Sequence, residues 1–83
     1  MSYFVYLLEC SDTTYYCGYT KDLDNRVHQH NNTKQGAFYT KNKRPVKLIY
    51  TEEYPTQKEA MRREYEIKTF TRKKKETLVN GAA

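Results

Sequence analysis

The spacing of apolar and polar residues predicts that the chain begins with a hairpin. Residues 3–9 are rich in aromatic and β-branched side chains, which is typical of a largely buried strand. Residues 11–14 have the composition of a turn, and residues 15–19 predict the returning strand. Gly18 lies inside that strand and indicates either a bulge or a point where another backbone or a ligand comes close.

The rest of the chain predicts three helices and one further strand. Asp22 is placed to cap a helix that runs to about residue 31, and residues 46–50 predict the third strand. A second helix starts after Pro55 and Thr56 and reaches residue 69 or 70, and residues 73–79 predict a short last helix. The order β-β-α-β-α-α predicts an α/β (α+β) fold in which a small three-stranded antiparallel sheet is flanked by helices.

The length of the chain and the absence of long apolar runs limit its organisation. We expect the 83 residues to form one domain over residues 1–83, with a flexible tail at residues 80–83. The apolar run that includes residues 4–8 is far shorter than the roughly 20 residues that cross a bilayer. The start also lacks a basic segment followed by an apolar one, so a cytoplasmic location is expected.

Positive charge is concentrated in the second half of the chain. Residues 1–40 hold three basic and four acidic side chains, whereas residues 41–83 hold twelve and six. Nine of the twelve aromatic residues are tyrosine, which combines an apolar ring with a hydroxyl group. A small basic domain of this kind suits a polyanionic partner. The alternative is an ordinary solvated surface on which tyrosines bridge the core and water.

The first predicted helix carries two polar side chains on its apolar face. Leu23, Arg26, Val27 and His30 follow the spacing i, i+3, i+4 and i+7, which places them on one side of a helix. Arg26 and His30 therefore point toward the core or a cleft and can approach one ligand together. The alternative is an arginine whose stem covers the core while its head reaches water, beside a structural histidine.

The second predicted helix carries a carboxylate near the middle of its apolar arc. That carboxylate is Glu64, and the arc consists of Ala60, Met61, Tyr65, Ile67 and Phe70. A carboxylate on the core face is costly unless it is paired or bound to a metal. A metal or catalytic role and an ordinary salt bridge with Arg26 both remain open. Together with Tyr6 and Tyr16 on the sheet, these side chains suit phosphate chemistry.

The same residues resemble the GIY-YIG nuclease superfamily, most closely its small stand-alone bacterial members. The resemblance covers roughly residues 3–76. The two signature tripeptides correspond to Phe4-Val5-Tyr6 and Tyr16-Cys17-Gly18. The further matching positions are Thr20, Asp22, Leu23, Arg26, His30 and Asn31, then Ala37-Phe38-Tyr39-Thr40, Arg44-Pro45, and Glu59-Ala60-x-x-Arg63-Glu64. Each tripeptide alone is a weak signal, but the ordered set is specific.

The resemblance implies an endonuclease that depends on a divalent metal and hydrolyses phosphodiester bonds in DNA, in repair or processing. By position, it implies that Tyr16 activates or delivers the attacking water, with Tyr6 in the same hydrogen-bond network. Arg26 would stabilise the scissile phosphate, and His30 would assist proton transfer or orientation. Glu64 would bind a single divalent cation, Mg²⁺ or Mn²⁺.

Two basic segments are the candidate contacts to DNA. They are Lys34, Lys41, Lys43 and Arg44 in a polar loop, and Arg72, Lys73, Lys74 and Lys75 near the last helix. With only these segments, recognition is expected to depend on the structure of the DNA rather than its sequence. The alternative function is a nucleic-acid-binding module that keeps the GIY-YIG fold without cleaving. A protein-interaction adaptor is a further alternative, and it predicts no salt-dependent affinity for nucleic acid.

Overall fold

A computed structural model describes residues 2–32 and 43–81 of the protein. It contains a three-stranded antiparallel sheet in the order β2-β1-β3 together with three helices. The elements are β1 (Tyr3–Glu9), β2 (Tyr15–Thr20), α1 (Leu23–Asn32), β3 (Lys47–Tyr54), α2 (Gln57–Lys68) and α3 (Arg72–Val79). The α+β fold and the β-β-α-β-α-α order predicted from the sequence are thus confirmed. None of these helices is long and apolar enough to cross a membrane.

The central strand β1 separates two hydrophobic clusters because its side chains alternate between the faces of the sheet. Tyr6 and Leu8 pack under α1, on the side called here the α1 face. Val5 and Leu7 point the other way and pack under α2, on the α2 face. All four side chains are at most 1% exposed, so β1 forms the core of both layers.

The turn between β1 and β2 is held by the Asp12 carboxylate. Its Oδ1 atom accepts hydrogen bonds from the Thr14 backbone N–H at 3.1 Å and the Thr14 hydroxyl at 2.5 Å. Thr13 between them has a φ of 68°, a left-handed conformation that a β-branched residue rarely adopts without such support. The bonds from Thr14 hold the pKa of Asp12 at about 2.

The C-terminal end of α1 is fastened to the start of β3 by side-chain hydrogen bonds. The Asn31 amide donates to the Val46 carbonyl at 3.1 Å and accepts from the Val46 N–H at 2.7 Å. The guanidinium of Arg44 donates to the backbone carbonyl of His30 at 2.6 Å. These bonds satisfy groups at the helix end and fix the last turn of α1 relative to the sheet.

Strand β3 is longer than the sequence predicted, because it continues from residue 50 to Tyr54. The extension places Tyr50, Glu52 and Tyr54 on the α2 face, where both phenols donate to the Glu52 carboxylate. Arg63 of α2 contacts the same carboxylate at 2.8 Å and 3.1 Å through two nitrogens. Strand propensity is low at Glu52 and Glu53, so pairing with β1 and this tertiary network together account for the strand that local sequence did not indicate.

The apolar arc predicted for α2 is partly wrong. Ala60 and Ile67 are fully buried, but Met61 is 46% exposed and Tyr65 is 74% exposed. The helix touches the sheet through a narrow stripe, and Glu64 lies beside that stripe rather than in its middle. Phe70 does pack against the core cluster, as predicted. Counting tyrosine and methionine as core residues made the predicted arc too wide.

Candidate active site

Four of the five predicted catalytic residues come together on the α1 face. Tyr6 of β1 and Tyr16 of β2 lie next to His30 of α1, and Arg26 stands one turn earlier on the same helix. The Tyr6 hydroxyl is 3.0 Å from His30 Nε2. The ring of Tyr16 is 5.0 Å from that of His30 and 6.4 Å from that of Tyr6, measured between centroids. The predicted shared face of Arg26 and His30 is therefore confirmed.

Gly18 makes room for this cluster. It is the cross-strand partner of Tyr6, and the register of β1 with β2 runs through it without a bulge. A Cβ atom at position 18 would lie 2.5 Å from the Tyr6 hydroxyl and 3.2 Å from the Tyr16 ring. The close approach expected from the sequence thus involves the two phenol side chains rather than a backbone segment. Any larger residue at position 18 would displace Tyr6 from His30.

His30 is a fully buried imidazole that stays uncharged at neutral pH. It is 0% exposed, and burial together with the charges of Arg26 and Arg44 lowers its pKa to about 4. Neutral histidine carries one ring N–H and one nitrogen that accepts a proton. The cluster therefore contains a basic nitrogen that is not protonated near pH 7.

The two tyrosines differ in their access to solvent. Tyr6 is 1% exposed, and burial raises its pKa to about 12, although a hydrogen bond with Arg26 acts in the opposite direction. Its phenol therefore remains protonated and can donate to the neutral His30 ring when that ring carries its proton on Nδ1. Tyr16 is only half-buried, so it is the phenol of the pair that can meet water or a substrate.

Arg26 places a permanent positive charge at the rim of the cluster. Its side chain is half-buried and donates through Nη1 to the Gln29 side chain at 2.9 Å. It also hydrogen-bonds to Tyr6. A guanidinium has five N–H donors in a planar arrangement, so these contacts orient it while leaving the geometry suited to an oxyanion.

Glu64 is on α2 and thus on the other face of the sheet. Its carboxylate pairs with Lys68 at 3.5 Å and has a side-chain exposure of 18%, so its ion-pair partner is Lys68 and not Arg26. The Cys17 thiol contacts the Glu64 backbone carbonyl at 3.9 Å. Cys17 lies between Tyr16 and Gly18 in β2, which is an edge strand. Glu64 therefore lies near the same part of β2 as Tyr16, but on the opposite face of the sheet.

The donor groups fit one kind of divalent-metal site and not another. Among residues 2–32 and 43–81, no three His, Cys, Asp or Glu side chains are close enough to form a complete metal site. Mg²⁺ is commonly held by one or two carboxylates, with water and substrate phosphates completing its octahedron. Glu64 is the carboxylate that the resemblance assigns to such a site. The side chains therefore fit a cation shared with the substrate, and do not fit an all-protein cage.

The loop cations predicted to contact DNA are engaged with the protein where the structure describes them. Lys43 pairs with the Asp12 carboxylate at 3.2 Å, and Arg44 donates to the His30 carbonyl. Arg44 therefore helps to position His30. The sequence predicted Arg44 as a contact to DNA, and its position before the third strand gave no sign of this bond to α1. Lys34 and Lys41 lie outside the described residues.

The cations of α3 are largely at the surface. Arg72 stacks on the Tyr15 ring at 3.9 Å and donates to the Thr13 carbonyl at 2.6 Å. Lys73 and Lys74 are exposed, and Lys75 is half-buried. The ammonium group of Lys74 lies 4.2 Å from the centre of the Phe70 ring. The first turn of α3 thus carries a run of cations without an acidic residue.

Comparison with known proteins agrees with this arrangement. The sequence profile of the GIY-YIG catalytic domain matches residues 2–77. A UPF0213 protein of Staphylococcus aureus is 56% identical over 78 residues, which is 94% of each chain. The solution NMR structure of a UPF0213 protein from Bacillus halodurans has 46% identity and a TM-score of 0.62, covering 96% of this chain and 84% of that one. A solution NMR structure from E. faecalis has 40% identity and a TM-score of 0.66, covering 98% and 85%. The chain therefore belongs to the GIY-YIG catalytic domain family and has its nuclease-type fold.

Proposed function

We propose that the protein is a divalent-metal-dependent endonuclease that hydrolyses phosphodiester bonds in DNA, selecting its substrate by structure, in DNA processing or repair. The observation that carries the proposal is the packing of Tyr6, Tyr16, Arg26 and His30 into one cluster. Family membership supports the same reaction class. A purely structural core would not need a buried histidine, a buried phenol and an arginine at adjoining positions.

Tyr16 and His30 would handle the attacking water. Tyr16 is the half-buried phenol, so its hydroxyl can orient a water molecule toward the phosphorus atom. His30 is uncharged near neutral pH because its pKa is lowered to about 4. It is fully buried with Nε2 against the Tyr6 hydroxyl, so it would help to position the attacking water through the phenols and would not contact the water itself. Tyr6 holds the His30 ring through the 3.0 Å contact and resists ionisation itself.

Arg26 and Glu64 would deal with the charge of the phosphate. The Arg26 guanidinium would stabilise the negative charge that increases on the phosphoryl oxygens as the bond breaks. Glu64 would hold Mg²⁺ or Mn²⁺ together with a substrate oxygen, and that cation would supply further charge stabilisation when bound. The Lys68 ammonium group, which lies 3.5 Å from the Glu64 carboxylate, would be displaced on metal binding.

Cleavage of a panel of labelled flapped, branched, nicked and duplex DNAs in Mg²⁺, Mn²⁺ or EDTA tests the proposal. We expect cleavage in metal only, and a reduction of turnover by about 10²- to 10⁴-fold in Tyr16→Phe and Arg26→Ala, since both groups act in the transition state. Tyr19→Phe is the matched control. It removes a phenol of the same strand that bonds to Gln57 at 3.3 Å, and it should cleave like the wild type.

Three outcomes would contradict the proposal in different ways. DNA binding without cleavage of any substrate in either metal would instead indicate a non-catalytic nucleic-acid-binding module. Equal losses of rate and affinity in Tyr16→Phe would mark Tyr16 as a ground-state contact. Full activity of Glu64→Gln, measured alongside a metal titration by NMR, would remove Glu64 from the metal site.

A further inference from the structure

The outward side of α2 combines an exposed aromatic ring with a set of cations. With about 100° of rotation per residue, five residues of α2 lie on one side of the helix, each within about 60° of Tyr65 around the helix axis. These residues are Lys58, Met61, Arg62, Tyr65 and Lys68, and all five are exposed. They define a stripe about 15 Å long, called here the Tyr65 stripe.

The charge of the Tyr65 stripe has one sign. Its charged members are two lysines and one arginine, whereas the acidic residues of α2 point about 100° or more away from Tyr65. Lys68 shares its charge with Glu64 at 3.5 Å, so Lys58 and Arg62 provide most of the field. The stripe is thus a small electropositive surface with an aromatic ring at its centre.

The packing of α2 does not account for the exposed ring. Ala60 and Ile67 carry the contact with the sheet, and Tyr65 points away from them with 74% of its surface exposed. Met61 is one turn away, is 46% exposed, and lies next to Tyr65 on the helix surface. Together they form an apolar platform, since side chains at i and i+4 are neighbours.

An aromatic platform framed by cations is the arrangement that binds unpaired bases. A base stacks on the ring irrespective of its identity, while the cations contact the flanking phosphates. A paired base within a duplex presents only its edge, so a duplex uses the cations but not the ring. We propose that the Tyr65 stripe is a binding surface for single-stranded nucleic acid, with one unpaired base stacked on Tyr65 and phosphates held by Lys58 and Arg62.

This inference rests on the proposed function, because it assumes that the substrate is a nucleic acid. It adds the class of substrate, namely DNA with an unpaired segment. Glu64 directly precedes Tyr65, and its backbone carbonyl accepts from the Cys17 thiol of β2 at 3.9 Å. A strand lying along the stripe would therefore run close to the proposed metal ligand.

Fluorescence anisotropy can measure binding to a 12-nucleotide single strand and to the matching duplex. Measurements in EDTA test the Tyr65 stripe under conditions in which no cleavage is expected. Tyr65→Ala should weaken single-strand binding by about tenfold, which is the loss of about 1.4 kcal/mol of stacking, and should change duplex binding by less than about twofold. Tyr65→Phe is the matched control and should bind like the wild type, because it keeps the ring. Arg62→Ala should weaken binding of both the single strand and the duplex, because it removes a phosphate contact.

A direct signal is available because the chain has no tryptophan. The fluorescence of a Tyr65→Trp variant should be quenched on addition of the single strand, and less so by the duplex. Leu48→Trp places the same reporter at a 38% exposed position on β3 and should not respond. Quenching at both positions would mean that the response does not report stacking at Tyr65.

Other results would overturn the inference. Unchanged single-strand affinity in Tyr65→Ala, or an equal loss for the duplex, would exclude a stacked base. A concentration-dependent dimer in sedimentation experiments, abolished by Tyr65→Ala, would show that the stripe binds a second copy of this chain. These results are separate from the proposed cleavage activity. A protein that fails to cut DNA can still bind a single strand through Tyr65. If the Tyr65→Ala variant cuts DNA and keeps full affinity for the single strand, only the proposed binding role of the Tyr65 stripe is refuted.

Discussion

At the scale of single residues, the burial of His30 ties the stability of the fold to pH. Its pKa is about 4 in the folded protein, below the value of 6.5 for an exposed histidine. Above pH 6.5 neither state binds the proton. Between pH 6.5 and 4 the unfolded chain binds it and the folded chain does not, so the free energy of unfolding falls as the pH falls.

We expect His30 to cost the protein about 3 kcal/mol of stability on going from pH 7 to pH 4. Urea unfolding of the wild type and His30→Gln across this range measures the effect as the difference between the two curves. His28→Gln is the control, because His28 is an exposed residue of the same helix. The expectation fails if the wild type and His30→Gln lose stability in parallel as the pH is lowered.

The residues of the cluster differ in how far the sequence revealed them. Leu23 and Val27 fix the inward side of α1, so the orientation of Arg26 and His30 follows from helix periodicity alone. The lowered pKa of His30 does not, because it depends on burial and on Arg44, which is 14 positions away in the chain. Partners brought together by tertiary structure leave no local periodic signal.

At the scale of elements, β3 and α2 are joined by the Glu52 network. Glu52 is an edge-strand carboxylate with 16% side-chain exposure, and Arg63 binds it through two nitrogens. Burial, and after it the Glu52 carboxylate, raises the pKa values of Tyr50 and Tyr54 to about 12. All of these groups therefore keep one protonation state over the physiological range.

We expect Arg63→Leu to lower the free energy of unfolding by about 1–3 kcal/mol, since it leaves a half-buried carboxylate without its cation. Lys68→Ala is the control. It breaks the more exposed Lys68–Glu64 pair and should cost about 0.5 kcal/mol or less. Urea unfolding measures both. Equal effects of the two substitutions would show that the Glu52 network does not stabilise the join between β3 and α2.

The same elements show where sequence reasoning reached its limit. The first five apolar residues of β1 identify it as a buried strand, and the structure confirms its bounds. The second half of β3 contains Glu52 and Glu53, so its strand conformation follows from pairing with β1 rather than from propensity, and Arg63 compensates the charge of Glu52. The width of the buried stripe on α2 depends on how that helix lies on the sheet, which the helix sequence alone does not specify.

At the scale of the molecule, the exposed cations of residues 2–32 and 43–81 lie mainly on α2 and α3. Lys43 is paired with Asp12 and Arg44 is bound to the His30 carbonyl, whereas Lys73 and Lys74 of α3 are exposed. A cation already paired with a carboxylate neutralises fewer phosphates. The contribution of α3 to DNA binding should therefore exceed that of Lys43.

We expect DNA affinity to fall with salt, and the slope of log affinity against log salt concentration to decrease by about 1.8 when Lys73 and Lys74 are both replaced by Ala. This estimate assumes about 0.9 per neutralised phosphate. Lys43→Ala should leave the slope nearly unchanged. Titrations at several salt concentrations in EDTA provide the measurement. A wild-type slope near zero would contradict nucleic-acid binding altogether.

The fit between Tyr6 and Gly18 has a consequence for the evolution of the protein. The phenol occupies the space where any other residue at position 18 would place its Cβ atom, only 2.5 Å from the Tyr6 hydroxyl. A side chain at position 18 is thus sterically excluded as long as Tyr6 fills that space. The two sites can diverge only by passing through an intermediate that has lost the contact with His30. Although 12 positions apart in the chain, the two sites are sterically coupled, which accounts for a glycine in the middle of a strand where glycine is otherwise unfavourable.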